Sequence, residues 1–185
     1  MKETDTHIYF WGGPFSNWYK SKFYAPLTQH GGKIEFNCSE QMFMALKALT
    51  FDDFVAVDKI LKTSNPRDQK AYGREIKGFN DDQWLKIAPE KMYTACGHKF
   101  TQNLTLLKIL LDSFPKTIVE ASPKDILWGV GLHYDDQLIL DDINWNGKNW
   151  LGKILVCLRN DIKFHPTILR NNTFALSNAQ MEIFK

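Results

Sequence analysis

Two ionisable side chains, Glu40 and Lys47, interrupt an otherwise apolar stretch of sequence. Every residue from Met42 to Leu49 is apolar except Lys47, and a helix that is apolar on all sides is normally buried. The two side chains are seven positions apart, which places them on one helix face about 10 Å apart along the axis. Because burying a charge without a partner is costly, such groups either pair or line a cavity. An acid and a base on one buried wall therefore predict a functional site.

A local alternative accounts for the same two side chains. Asn37 and Glu40 have the spacing of a capping box, in which Asn37 is the N-cap and Glu40 reaches back to the Asn37 N–H. Lys47 would then extend its ammonium group to water while its stem stays on apolar surface. This segment alone leaves both alternatives open.

A basic face follows in the next part of the chain. Ser64-Asn65-Pro66 is a strong helix start, with a cap residue before a proline. The helix that follows carries Arg67, Lys70 and Arg74 at spacings of three and four, hence on one face. Guanidinium groups bind phosphate well, although a solvated basic face would show the same pattern.

Asp125 is a second carboxylate of interest. It stands between an apolar segment that is predicted to be a strand and a glycine-rich turn at Gly129 and Gly131. Backbone without side chains can approach a ligand closely, so Asp125 could face a substrate there. Turn-forming aspartates are also common in such loops, and this alternative stays open.

The elements that would position these residues begin near the N-terminus. His7–Trp11 is predicted to form a short strand that ends at Gly12-Gly13-Pro14. Tyr19–Pro26 is predicted to pair with Lys33–Phe36 across a turn at Gly31-Gly32. These strands predict a small N-terminal antiparallel sheet that leads into the apolar helix.

The rest of the chain is predicted to be rich in helix, so the expected fold class is α+β, with about six helices around the sheet. Capping residues and apolar periodicity mark the helices. Helices are expected to start at Asp52 or Asp53, at Asn65 and at Asp81, and the last of these is expected to be interrupted at Pro89. Further helices are expected over 104–111, over 150–160 and over a short stretch around 179–184. Residues 117–120 are expected to form a strand.

Bulk properties limit the classes of function. The 185 residues, 44% of them hydrophobic, are expected to form one domain over 1–164 with a tail at 165–185. A net charge of +2 does not demand a broad nucleic-acid surface. Three dispersed cysteines, Cys38, Cys96 and Cys157, favour a reducing compartment and lack the spacing of a zinc site. A polar N-terminus and the lack of an apolar run of about 20 residues argue against export and membrane insertion, so we expect a cytoplasmic protein.

Several segments, in a shared order, resemble the YbiA-like family, also called NADAR for its association with NAD and ADP-ribose. The resemblance covers residues 8–160, and its most specific part runs from Glu120 to Gly131. Gln41 stands where many bacterial members have His. The matching segments are Phe15-Ser16-Asn17, Ser39-Glu40-Gln41 with Lys47-Ala48, Asn65-Pro66 through Gly73-Arg74, Trp84, Lys99-Phe100, Val119 to Gly131, and Asn149-x-Leu151-Gly152.

The resemblance implies hydrolysis of an N-glycosidic bond between C1 of a phosphorylated ribose and a base-like nitrogen. Bacterial relatives are associated with reactive intermediates of riboflavin biosynthesis, and other relatives with removal of ADP-ribose from guanine in nucleic acid. A non-catalytic module that binds ADP-ribose or NAD is a further alternative. The expected partner is a small ribose-phosphate N-glycoside or an ADP-ribose-containing substrate, with ADP-ribosylated nucleic acid as the alternative. No cofactor and no metal are expected.

The chemistry of that reaction suggests roles for the candidate residues. Breaking a C1–N bond develops positive charge on the sugar, which one carboxylate stabilises while a second acid protonates the leaving group. Glu40 and Asp125 are the two predicted catalytic carboxylates. Burial would raise the pKa of Glu40 and Lys47 would lower it, and the sequence does not decide which effect is larger. The predicted substrate contacts are Lys47, Arg67 and Arg74 to phosphate, Trp84 and Trp128 to the base, Asn17 to ribose hydroxyls, and the backbone at Gly131, although Trp84 could equally be plain core.

Overall fold

Helices dominate the computed structural model, which describes residues 1–27 and 32–185. The fold class is α+β, as the sequence predicts. Eight α-helices lie in the described ranges: α1 Ser39–Thr50, α2 Phe54–Lys62, α3 Pro66–Arg74, α4 Asp81–Thr101, α5 Leu104–Asp112, α6 Trp150–Phe164, α7 Thr167–Asn171 and α8 Asn178–Met181. The five strands there are β1 Lys2–Glu3, β2 His7–Phe10, β3 Phe23–Leu27, β4 Gly32–Phe36 and β5 Thr117–Glu120.

The strands form two small sheets. β3 and β4 pair antiparallel, with Phe23 opposite Phe36, and this is the hairpin that the sequence predicts. Gly31, part of the predicted turn, lies outside the described residues. β2 belongs to a second sheet, where it pairs antiparallel with β1 and parallel with β5. A parallel pair needs a long crossover, and here helices α1 to α5 occupy it. The crossover brings Glu120, the last residue of β5, opposite Phe10 of β2.

Helix boundaries follow local capping chemistry in most places. Asp53 caps α2 by accepting a hydrogen bond from the Ala56 N–H, and Asn65 caps α3, with Pro66 as its first residue. The cap of α4 is Asn80 and not Asp81, because the Asn80 side chain accepts from the Gln83 N–H.

The predicted interruption at Pro89 is wrong, because α4 continues through it. Proline removes one backbone donor and opposes a helix interior. The cost is offset by packing, because α4 lies against both α1 and α6, and Pro89 itself is buried together with Ala88 and Met92. Tertiary burial therefore outweighs the local preference at this position.

The last 21 residues, 165–185, pack onto the main hydrophobic cluster. Phe174, Leu176 and Phe184 are all buried in that cluster. Phe174 rests on Gly97 of α4, where an added Cβ would lie 2.3 Å from the ring. The short helix expected around Ala179 is present as α8 followed by a 3-10 turn, and α7 is an additional helix that the sequence analysis did not anticipate. Within the described residues, no helix combines the length and apolarity needed to cross a membrane.

Candidate active site

A cavity of about 400 Å³ opens where the start of α1, the 11–18 loop and the end of β5 meet. We call it the carboxylate cavity, because three acidic side chains line it, Glu40, Glu120 and Asp125. Lys70 of α3 contributes a cation to the same wall. The remaining lining includes Trp11, Gly12, Ser16, Asn17, Trp18, Phe43, Met44, Met92, Ser122 and Trp128.

Glu40 lies in the first turn of α1 with 5% of its surface exposed. The predicted capping box is wrong, because the N-cap is Cys38 and no side chain caps the helix there. The Asn37 N–H instead donates to Gln41 Oε1 at 2.8 Å, and the Glu40 N–H donates to the Asn17 carbonyl at 3.1 Å. The Glu40 carboxyl group is thus left to line the cavity, as the functional alternative requires.

Burial decides the protonation of Glu40. It raises the pKa of Glu40 to about 7. The positive charge of Lys70 lowers this pKa, and the negative charge of Asp125 raises it further. The polar Trp18 side chain and the charge of Arg74 also lower the pKa of Glu40. Burial therefore outweighs the opposing charges, and the cation that lowers the pKa of Glu40 most is Lys70 rather than the predicted Lys47.

Glu120 is a site residue that the sequence analysis assigned only to a strand and a family motif. Burial raises its pKa to about 8, and the negative charges of Asp125 and Glu40 raise it further while Lys70 lowers it. Its backbone N–H donates to Asn149 Oδ1 at 3.0 Å and its carbonyl accepts from the Val130 N–H at 3.0 Å. The position of an acid at the end of a buried strand, just before the Asp125 loop, was the available signal.

Asp125 fits both alternatives raised by the sequence. Its Oδ1 accepts from the Leu127 N–H at 3.1 Å and from the Trp128 N–H at 2.8 Å, which makes it a turn-forming residue. Its Oδ2 lies 4.0 Å from Lys70 Nζ, and the residue also lines the cavity. The loop geometry therefore fixes Oδ1 of Asp125 and leaves Oδ2 facing the Lys70 ammonium group.

A second cavity of about 350 Å³ adjoins the first and shares Phe43, Met44, Lys70, Asp125 and Trp128 with it. We call it the cationic cavity, because Lys47, Lys70, Arg74 and Lys124 line it.

Lys47 is anchored within the cationic cavity. Its Nζ donates to the Gly73 carbonyl at 2.9 Å and lies 3.9 Å from the Phe79 ring centroid. Burial lowers the pKa of Lys47. Arg67 is exposed and lines neither cavity, so the structure separates it from Lys47 and Arg74.

The aromatic candidates divide between the two cavities. Trp128 lines both, whereas Trp84 lines the cationic cavity alone and packs 5.1 Å from the Phe43 ring. Two further rings that the sequence analysis did not select, Trp11 and Trp18, line the carboxylate cavity while 54% and 40% exposed. Exposed rings at a cavity mouth provide a flat surface for stacking.

The last two sequence candidates, Asn17 and Gly131, differ in placement. Asn17 lines the carboxylate cavity, and its carbonyl holds the Glu40 N–H. Gly131 lines neither cavity and adopts a φ of +75°, with Asn146 and Ile126 packed around it. Its conformation favours glycine for backbone reasons. Among the described residues, no group of three or more His, Cys, Asp or Glu side chains is arranged to hold a metal ion.

Two carboxyl groups with pKa values near or above neutrality, beside one lysine, suit proton exchange with a leaving group. The NADAR domain family model matches residues 9–163. The chain belongs to the NADAR family.

The relatives extend over most of the chain. N-glycosidase R617 of Acanthamoeba polyphaga mimivirus is 36% identical over 168 residues, which are 86% of this chain and 98% of that protein. Protein irg-1 of Caenorhabditis elegans is 38% identical over 158 residues, 80% of this chain and 74% of that one. The NMR structure of Escherichia coli YbiA matches with a TM-score of 0.69 at 26% identity, and the match covers 89% of each chain.

The names of the relatives define the class of enzyme. Escherichia coli YbiA is named an N-glycosidase, like R617. Proteins named for riboflavin biosynthesis match at 28% or 29% identity, and the chain spans at most 38% of their length. Family membership together with these names assigns the chain to the N-glycoside hydrolases.

Proposed function

We propose that the chain hydrolyses the bond between C1 of a phosphorylated ribose and a nitrogen of a planar base-like group. The observation that carries this proposal is the meeting of Glu40, Glu120 and Asp125 in one cavity that adjoins a second cavity lined by four cationic side chains. The first arrangement suits cleavage at an anomeric carbon. The second suits an anionic group on the same substrate.

Glu40 and Glu120 divide the proton chemistry between them. Glu40, with a pKa of about 7, is largely ionised in mildly basic solution and either stabilises positive charge on the ribose or activates water against C1. Glu120, with a pKa of about 8, remains protonated at pH 7 and donates a proton to the leaving nitrogen. Asp125, fixed by two backbone N–H groups, orients Lys70 and the ribose hydroxyls.

The phosphate of the ribose occupies the cationic cavity in this proposal. Lys47 is pre-positioned there by its bond to the Gly73 carbonyl, and the exposed residues Arg74 and Lys124 line the same space. A pre-positioned cation loses less side-chain entropy when it binds an anion. Lys70 faces both cavities, so it contacts the substrate between the phosphate and the reacting carbon.

The leaving base stacks on the rings at the mouth of the carboxylate cavity. Trp11, Trp18 and Trp128 line that cavity, and Trp11 and Trp18 are substantially exposed. Stacking on an aromatic face tolerates many planar groups. Trp84 then lines the cationic cavity, where the phosphate binds, and packs on Phe43.

A product assay tests the proposal directly. The protein is incubated with a ribosylated aminopyrimidine phosphate, and released ribose 5-phosphate is measured for the native chain and for Glu40→Gln. We expect release by the native chain and a loss of about a thousandfold in the variant, within the range for acid–base and charge-stabilising groups. Equal release by the two proteins would contradict the role of Glu40.

A second candidate function is removal of ADP-ribose from guanine in nucleic acid. The number of cations supports it, since Lys47, Lys70, Arg74 and Lys124 exceed what a single phosphate requires and could accept a diphosphate. The exposed Trp11 and Trp18 rings could stack on an extruded base. Release of ADP-ribose from guanine-modified DNA, at a rate above that of ribose 5-phosphate release, would favour this second function.

A further inference from the structure

Lys99 of α4 is fully buried and is outside the lining of both cavities. Its Nζ donates to the Pro14 carbonyl at 2.7 Å and to the Ser16 carbonyl at 2.8 Å. The ammonium also lies 4.8 Å from the Phe100 ring centroid and 5.7 Å from the Tyr19 ring centroid. One buried cation thus binds two carbonyls of the same short segment.

That segment, residues 12–18, forms part of the carboxylate cavity. Ser16, Asn17 and Trp18 line it. The Asn17 carbonyl accepts the Glu40 N–H at 3.1 Å, and the Trp18 side chain, which lines the same cavity, lowers the pKa of Glu40. The chain of contacts therefore runs from Lys99 through the 12–18 loop to the backbone of Glu40, beside its carboxyl group.

The chemistry of Lys99 is unusual for a residue that only fills space. The titratable groups that act on it are the thiols of Cys96 and Cys38, and burial lowers its pKa to about 8. A buried charge is costly unless hydrogen bonds compensate it, and an apolar side chain of similar volume would fill the same space at lower cost. The two loop carbonyls provide that compensation.

We propose that Lys99 is a positioning residue that fixes the 12–18 loop so that Trp18 and Asn17 meet Glu40. It acts through the loop and touches neither the substrate nor the reacting atoms. The proposal builds on the proposed function, because it assigns to Lys99 control over the protonation and placement of the catalytic carboxylate.

If Lys99 positions the 12–18 loop against Glu40, its loss changes the pH titration of Glu40. If Lys99 only stabilises the fold, its loss leaves that titration unchanged. When the loop loses its anchor, the Trp18 side chain moves away from Glu40, and the pKa of Glu40 rises because Trp18 lowers it in the native chain. The other groups that face Glu40 stay in place, since none of them is bonded to Lys99. These groups are Lys70 and Arg74 from α3, Glu120 from β5, Asp125 from the following loop, and Lys47 on α1 itself.

The test compares the native chain with Lys99→Met by carbon NMR titration of the Glu40 carboxyl group, and then by rate against pH. We expect the Glu40 midpoint to rise by roughly half a unit to one unit. We expect kcat to fall about tenfold to a hundredfold with a smaller change in KM, because misplacement of reacting groups affects the chemical step most. An unchanged Glu40 midpoint in a folded variant would overturn the proposal.

Three further variants separate positioning from stability. Tyr93→Phe removes a buried hydrogen bond from the same helix, the one to Asp161 Oδ2 at 2.6 Å, and should leave the Glu40 midpoint unchanged. Trp18→Phe should give the same rise as Lys99→Met, and the double variant should rise no further, because both act through the Trp18 side chain. Additive shifts in the double variant would overturn the proposal.

A variant that does not fold, or a chain that proves to have a different activity, can each be told apart from failure of the Lys99 proposal. Lys99→Gln, which keeps a donor but shortens the side chain, replaces Lys99→Met if the latter does not fold. If neither variant folds, an unchanged Glu40 midpoint in Trp18→Phe still overturns the proposal. The NMR titration needs no turnover, so a chain that cleaves no ribose N-glycoside would contradict the proposed function while the Lys99 result stands by itself.

Discussion

The carboxylate cavity and the cationic cavity share one wall but hold ionisable groups in different ways. In the first, burial raises the pKa of Glu40 to about 7 and of Glu120 to about 8. In the second, Arg74 and Lys124 are exposed, and Lys47 is held by a carbonyl and by the Phe79 ring. The first cavity tunes protonation, and the second offers charge.

This difference indicates how one substrate would be handled. Groups that must exchange protons need pKa values near the working pH, which burial provides. Groups that hold a phosphate need a positive charge and suitable donors, which lysine and arginine side chains provide. Lys70 and Asp125 belong to both cavities, so they couple the two functions.

Glu40→Gln should produce the largest effect. We expect kcat to fall about a thousandfold, with KM within about threefold, because the amide keeps the shape of the side chain but provides no charge. Steady-state kinetics with a ribose-phosphate N-glycoside measure both quantities. A variant with a raised KM and an unchanged kcat would assign Glu40 to substrate binding. The carboxylate cavity would then not differ from the cationic cavity in its role.

Glu120→Gln should act through the pH profile. If Glu40 must be ionised and Glu120 protonated, the rate should peak between the two pKa values, about 7 and about 8. Since coupled carboxyl groups titrate together, the two limbs report apparent values. Glu120→Gln should lose the upper limb, and kcat at pH 7 should fall about a hundredfold. A native profile that stays flat from pH 6 to pH 9 would contradict this assignment.

Arg74→Ala should affect binding alone. We expect KM to rise about tenfold while kcat changes less than about twofold, because a phosphate contact is made equally in the ground and transition states. Arg67→Ala on the same helix is the matched comparison, since Arg67 is also exposed but lines neither cavity. Equal increases in KM for both variants would restore Arg67 to the site, as the sequence predicted.

The last effect is on stability and not on activity. The folded pKa of Glu120 is raised, so the folded state binds more protons than the unfolded state between pH 4.5 and pH 8. The Glu120 contribution to the free energy of unfolding therefore falls as pH rises through that window. We expect Glu120→Gln to gain roughly 3 kcal/mol over the native chain between pH 5 and pH 8. Urea denaturation at the two pH values measures the gain, and a pH-independent difference would argue against a buried, shifted carboxyl group.

Much of the local structure could be predicted because its causes lie within a few residues. The caps at Asp53 and Asn65 and the hairpin of β3 and β4 follow from short-range chemistry. The same local reasoning proposed Asn37 as a cap and a break at Pro89, and both were wrong. At Asn37 the Gln41 side chain accepts the backbone N–H, and at Pro89 burial between two helices prevails.

The site was partly visible in the sequence. Glu40 and Asp125 stood out as acids in apolar or glycine-rich surroundings, and both line the carboxylate cavity. The sequence did not mark four other residues as part of the site, because each has an ordinary local setting. Glu120 ends a strand, Lys70 lies on a basic helix face, and Trp11 and Trp18 are aromatic residues in the loop after a strand. Their common cavity depends on segments that are distant in sequence.

The sequence by itself determined the α+β class, the starts of α2 and α3 and the presence of an acid in apolar surroundings, since periodicity, capping and composition are local properties. Only the tertiary structure decided that burial outweighs charge at Glu40, that Lys70 rather than Lys47 opposes it, and that Glu120 joins it. The physical reason is that a pKa depends on solvent exclusion and on distances through space. Both quantities are fixed when the parallel pairing of β2 and β5 brings Glu120 to the cavity at the start of α1.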